Sequence, residues 1–250
     1  MNSADLSSVF QHALRVRLAM AEGKSLDHAV EDELSGVKES VMRAAVKAVS
    51  FDTVRNLAAA CKLIGLFAKR PPEEHVGALL EVALARMMTH PEKDFVTVDQ
   101  AVRAARALDE TRSSAGFINA ILRRYGRERE ELAGWLAEQE GVRFNAPDWW
   151  LAAYKKALGS KASEIFPLQQ TKAPLTLRVN CRQSTPEQYL ETLKAKGIAA
   201  YRCGLDAVTL EKALPVEEIP GFSEGMVSVQ DAGSQLAARL LAPTDGERIL

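Results

Sequence analysis

A change of hydrophobic period near Pro174 constrains this 250-residue chain more than any other feature. Up to roughly residue 140 apolar residues recur at three- and four-residue steps, the spacing that lines one face of a helix. Leu6, Val9, Phe10, Ala13, Leu14 and Leu18 open the series, and Val54, Leu57, Ala58, Cys61 and Ile64 continue it. Val76, Leu79, Leu80, Ala83, Leu84 and Met87 make another stripe, and Phe117, Ile118, Ile121, Leu122 and Tyr125 a further one. After Pro174 the segment Leu175-Thr176-Leu177-Arg178-Val179-Asn180 alternates, as a half-buried strand does. The period predicts an all-α domain followed by a small α+β domain.

Local signals refine this division. Thr97-Val98-Asp99-Gln100 fits a capping box at a helix start, and Thr185-Pro186-Glu187-Gln188 fits one with proline at the first helical position. Residues 141–173 read as a helical connector: Pro147 suits a first turn, Gly159 a helix end, and Pro167 and Pro174 are expected to interrupt any longer helix. Trp149, Trp150 and Tyr154, at helical spacing, are expected to fill an interdomain core. Short strands are predicted at Ala200–Arg202, Ala207–Leu210 and Met226–Gln230, and Asp231 is placed to cap a last helix carrying Leu236, Ala237, Leu240 and Leu241. Gly246-Glu247-Arg248-Ile249-Leu250 reads as the opening of another strand, which would need a partner. The resulting divisions are 1–140, 141–173, 174–230 and 231–250.

Hydrophobic residues make up 47% and charged residues 26%, so a chain of this length can bury a core without staples. No apolar run reaches the roughly 20 residues of a membrane helix. The first twenty residues include Asp5 and lack a basic cap before an apolar block, so no secretory signal is expected and a cytoplasmic location follows. Cys61, Cys181 and Cys203 are far apart and form no CxxC pair; they read as buried or idle thiols. The four histidines, His12, His28, His75 and His90, are scattered, and no metal is expected. Glu73 and Glu74 read as a first-turn charge pair favoured by the helix dipole.

The net charge of -1 neither favours nor disfavours nucleic acid, so only clustering can inform. Arg103, Arg106, Arg112, Arg123, Arg124, Arg127 and Arg129 crowd one stretch. Guanidinium groups there suit phosphates; equally, with Asp109, Glu110, Glu128, Glu130 and Glu131 interspersed, they suit a solvated helix face. Arg178 and Asn180 alternate with Leu177 and Val179 and therefore point to the opposite face, either toward a ligand or simply toward water.

The run FINAILRRYGRE, from Phe117, resembles a helix of NusB-like domains, with Ala120 where that pattern has glycine. LTLRVNCRQSTPEQYLETLKAKG, from Leu175, resembles the RNA-binding subdomain ahead of the catalytic domain in the NOL1/NOP2/Sun family. IPGFSEGMVSVQDAGSQLAARLLAPTDGERIL, from Ile219, resembles the join to that family's methyltransferase domain. This order resembles the RsmB type, also called Sun or Fmu, and the resemblance spans nearly the whole chain.

The resemblance implies an all-α NusB-like helical domain, a small α+β (RRM-like) domain, and a stop at the start of a missing Rossmann-like methyltransferase domain. It implies the RNA-recognition portion of an S-adenosylmethionine-dependent cytosine-C5 methyltransferase acting on small-subunit ribosomal RNA, truncated and inactive alone. Arg112, Arg123, Arg124, Lys172, Arg178, Asn180 and Arg182 become the RNA-binding candidates, with Gln230 and Asp231 at the edge of a cofactor pocket. No catalytic residue is assigned: none of the three cysteines stands in a Pro-Cys or Thr-Cys motif, and the D-x-C-A-A-P-G-G-K-T loop is absent. S-adenosylmethionine is expected only in the full-length enzyme. The chain is expected to be a monomer that binds small-subunit ribosomal RNA and neither membrane nor metal. The alternative is a stand-alone NusB-like module binding RNA or protein without enzymatic activity.

Overall fold

The computed structural model describes residues 4–169, 171 and 173–249, and these form two compact units, Met1–Gln170 and Thr171–Leu250. The first unit is helical: α1 (Leu6–Ala21), α2 (Leu26–Glu33), α3 (Ser40–Arg55), α4 (Leu57–Phe67), α5 (Glu74–Thr89), α6 (Asp94–Ala107), α7 (Asp109–Arg112), α8 (Ala115–Glu138), α9 (Glu140–Arg143), α10 (Asp148–Leu158) and α11 (Ala162–Gln169). Helix α5 is the axis of the bundle. Leu79, Leu80, Val82, Ala83, Leu84 and Ala85 bury most of its middle, and α1, α3, α4, α6 and α8 all pack against it. Helix starts follow short polar side chains: the Asp5 carboxylate accepts from the Ser8 N–H at 3.1 Å, and Ser25 does the same for His28.

One charged pair enters this core. Arg17 Nε meets Glu81 Oε2 at 2.7 Å, and the Cys61 thiol donates to Glu81 Oε1 at 3.3 Å. Burial, with the Glu81 carboxylate, pushes the Cys61 thiol up to about 12.

The cap expected at Thr97 is not used. Pro91–Lys93 forms a 3-10 turn that already opens the helix, so α6 starts at Asp94 and Thr97 lies fully buried in its interior. Nor does Pro167 interrupt a helix: it lies inside α11, where burial of Ala162 and Phe166 offsets the one lost backbone bond.

Residues 144–166 carry an aromatic cluster of their own, with Phe144 stacked on Phe166 at 4.7 Å and Trp150 edge-on to Tyr154 at 4.7 Å. Trp149 is 72% exposed, so it does not join the core expected for it. Asn145 fastens this segment to the bundle. In a left-handed conformation, φ 45°, it donates to the Val54 carbonyl at 2.8 Å and accepts from the Ala58 N–H at 3.2 Å, closing both helix ends at the α3–α4 junction.

The second unit contains β1 (Leu175–Val179), α12 (Pro186–Ala195), β2 (Ala200–Arg202), β3 (Ala207–Leu210), β4 (Val227–Val229) and α13 (Leu236–Leu241). The sheet order is β2-β3-β1-β4, with every neighbour antiparallel. Thus β1, α12 and β2 form a split crossover with β3 inserted between the strands. Thr185 and Gln188 make the expected capping box at the start of α12. Leu177, Val179, Val208, Leu210 and Val227 bury against Tyr189 and Leu193 of that helix. The opposite face holds a hydroxyl pair, Thr176 and Thr209, 2.9 Å apart.

Gly221 is required at its turn. Its φ is +75°, and an added Cβ would lie 2.9 Å from that of Met226.

Two expectations near the end are corrected. Asp231 does not cap α13, which begins five residues later; its carboxylate accepts from the Gly233 N–H at 2.9 Å and closes a turn instead. Among the described residues Gly246–Ile249 form turn and coil rather than a strand, with no neighbour to pair with, and the leucines of α13 are exposed.

Candidate nucleic-acid interface

The alternation that buries Leu177 and Val179 sends Arg178 to the other face of β1. Both cross-strand neighbours of Arg178 are small, Ala207 on β3 and Ser228 on β4, so nothing overhangs its guanidinium. The result is a pocket of about 430 Å³ lined by Arg178, Asn180, Cys181, Arg182, Asp206 and Ser228, among others.

Asn180 builds the rim. Its Nδ2 donates to the Gly225 carbonyl at 3.0 Å, and its Oδ1 accepts from the Arg182 N–H at 3.1 Å, an Asx-type turn that carries Arg182 to the mouth. The Asn180 side chain is thus engaged at both ends, while Arg178 and Arg182 have no carboxylate partner among the described residues.

Asp206 is the acidic group of the pocket. Partial burial disfavours its charge, but hydrogen bonds from Arg239 (3.1 Å to each oxygen) and from Cys181 (3.4 Å), with the charges of Arg239 and Arg178, hold the carboxyl below its usual range. Arg239 pairs directly with this carboxylate, and Arg178 and Arg182 bring the arginines around it to three. Burial, then Asp206, raises the Cys181 thiol above its ordinary value. A neutral thiol is a poor nucleophile. None of the three cysteines is a buried core residue.

The remaining candidates are dispersed. Arg112, Arg123 and Arg124 belong to the helical unit. Arg112 is tied to Asp109 at 2.8 Å and to the Arg106 carbonyl at 3.0 Å. Arg124 pairs with Glu128 at 2.9 Å and lies over the Phe67 ring. Arg123 donates to the Asn119 amide oxygen at 2.9 Å and has no carboxylate partner among the described residues. Lys172 lies outside the described residues. The backbone of Gln230 bonds to Thr176 and to the Gln235 side chain, and the Asp231 carboxylate accepts from the Gly233 N–H. Among the described residues no cluster of three metal-ligating side chains occurs, and no helix is long and apolar enough to cross a membrane.

Asp206 and Ser228 were not legible as pocket residues, because only strand pairing brings them beside Arg178. Phe95 was also missed, and Arg127, named in the arginine-rich stretch, was not singled out from it. They share a second pocket, of about 230 Å³, with Arg123. A four-residue step from Arg123 to Arg127 on one helix is the signal that points to a shared face.

Residues 6–127 match the NusB family, and residues 146–217 match the Methyltr_RsmF/B-like, ferredoxin-like domain. The chain is 32% identical over 238 residues to the Ribosomal RNA small subunit methyltransferase B of Xanthomonas campestris pv. campestris, covering 92% of this chain and 52% of that protein. The protein of that name from Klebsiella pneumoniae is 30% identical over 254 residues, covering 100% of this chain and 58% of that one. The Vibrio cholerae serotype O1 protein of the same name is 36% identical over 174 residues, 69% of this chain and 39% of that one. The chain therefore spans about half the length of these relatives. A crystal structure of PH0851 shares the fold, with a TM-score of 0.57 at 17% identity over 96% of this chain and 56% of that one.

Proposed function

On the premise that this chain joins a NusB-family domain to the ferredoxin-like domain of RsmF/B-like methyltransferases, the domain pair of an RsmB-type protein, we propose that it is the RNA-recognition portion of a ribosomal RNA methyltransferase. The substrate is small-subunit ribosomal RNA, and the complete protein transfers a methyl group from S-adenosylmethionine to carbon 5 of a cytosine. The domain divisions 1–140, 141–173, 174–230 and 231–250 carry this reading, with docking of RNA assigned to 1–140 and 174–230 and residues 141–173 as a helical connector.

The observation that supports it most is the Arg178 pocket. Arg178 and Arg182, which have no carboxylate partner among the described residues, line a pocket where the strand neighbours of Arg178 are small, an arrangement suited to phosphate oxygens beside an unstacked nucleotide. The chemistry itself is assigned elsewhere. Carbon-5 methylation of cytosine needs a thiolate to attack carbon 6, whereas Cys61 and Cys181 are both held in the neutral thiol form. The cofactor and the working cysteines are assigned to the half of the relatives that this chain does not match. RNA binding is the role we assign to the residues of this chain.

The test is RNA binding across a salt series. Affinity for a single-stranded fragment of small-subunit rRNA falls linearly on a log–log salt plot, with a slope of about -0.7 per phosphate contacted. Arg178→Ala weakens binding by about 1.5 kcal/mol and makes the slope shallower. Affinity that is flat in salt and indifferent to Arg178→Ala overturns the assignment.

A further inference from the structure

The helical unit carries an aromatic that its own packing does not explain. Phe95, in the first turn of α6, is 78% exposed, although a phenyl ring gains from burial wherever the fold offers it. It borders the pocket of about 230 Å³ floored by Leu122 and flanked by Arg123 and Arg127 of α8. The single carboxylate lining that pocket, Asp94, is already taken: Arg129 Nη2 meets its two oxygens at 2.7 and 2.8 Å. Arg123 and Arg127 have no carboxylate partner among the described residues. The patch thus combines a bare ring, an apolar floor and two uncompensated guanidinium groups one helical turn apart.

We propose that this patch is a second RNA subsite, holding one unpaired nucleotide with its base stacked on Phe95 and its flanking phosphates on Arg123 and Arg127. The inference rests on the RNA-recognition reading above. The charge chooses the occupant: an apolar protein segment would leave both guanidinium groups without counter-charge, whereas a single strand offers a flat ring and a phosphate together. Double-helical RNA, with its bases stacked inside, offers no ring for Phe95.

The test uses the full chain and a short single-stranded RNA of small-subunit rRNA sequence carrying 2-aminopurine, whose fluorescence drops when it stacks. Phe95→Ala is expected to weaken binding by about 5- to 150-fold, the range for loss of one base–aromatic stack. It also abolishes the quenching, whereas Phe95→Trp preserves both. Arg123→Gln and Arg127→Gln each make the log–log salt slope shallower by about 0.7. The same RNA annealed to its complement is insensitive to Phe95→Ala. Phe95 is exposed, so its truncation leaves the helical circular dichroism unchanged. If Arg178→Ala weakens binding but Phe95→Ala neither weakens it nor restores fluorescence, the subsite is wrong and the RNA reading stands. If the chain binds no RNA at all, both fall.

Discussion

Tyr189 shows how much one side chain settles in the smaller unit. Its ring is fully buried under the sheet, and its hydroxyl donates to the Pro220 carbonyl at 2.8 Å. Burial pushes the phenol up to about 12 from an ordinary 10.0. The folded state therefore keeps a proton that the unfolded state loses. The stability this gives is complete below pH 10 and is lost as pH rises from 10 to about 12. Tyr189→Phe leaves the Pro220 carbonyl unpaired and is expected to cost about 1 kcal/mol at neutral pH. Denaturant titrations of the variant should also show a shallower alkaline decline; an unaltered decline would assign that limb to other groups. The sequence placed Tyr189 on α12 through the Thr185–Gln188 box, but not its partner, because Pro220 arrives from a loop 31 residues away. Arg178 is the reverse case: alternation alone predicted its outward face, and the pairing with Ala207 and Ser228 then explains why that face is open.

At the scale of elements, legibility followed locality. The stripes of α1, α5 and α8 and the strands β1 to β3 are periodic within a few residues and were readable. The start of α6 was not, because a 3-10 turn at Pro91 competes with the cap-like Thr97, so Phe95, ahead of the expected cap, lies inside the helix. Asn145 was equally invisible: its two bonds reach across 91 and 87 residues. It caps an interhelical junction far from it in sequence, while its neighbour Asp148 reaches Lys62 of α4 at 3.2 Å. Asn145→Ala removes both bonds and leaves alanine in a left-handed backbone, expected to cost about 2 kcal/mol in a denaturant melt of the chain. Asn145→Gly, which relieves the backbone but not the lost bonds, should recover about half of that. A variant as stable as the parent would mean that water replaces the amide at both helix ends.

For the whole molecule, the strand order β2-β3-β1-β4 makes the small unit depend on its last strand. The family match stops at residue 217, short of β4, yet Gly225 and Ser228 complete the Arg178 pocket and Gly225 supplies the carbonyl that Asn180 binds. A chain ended after Glu218 should leave β1 as an edge, unsettle Val179 and Leu177, and lose salt-dependent RNA binding while the far-ultraviolet signal of the helical unit persists. Retained binding by that shorter chain would place the RNA contact elsewhere. The proposed recognition surface is accordingly discontinuous in sequence. A synthetic peptide covering residues 175–182 would carry both arginines and still be blank, and an antibody raised against it would miss the folded face. Grafting the surface onto another scaffold would mean transferring the strand pairing as well as the side chains.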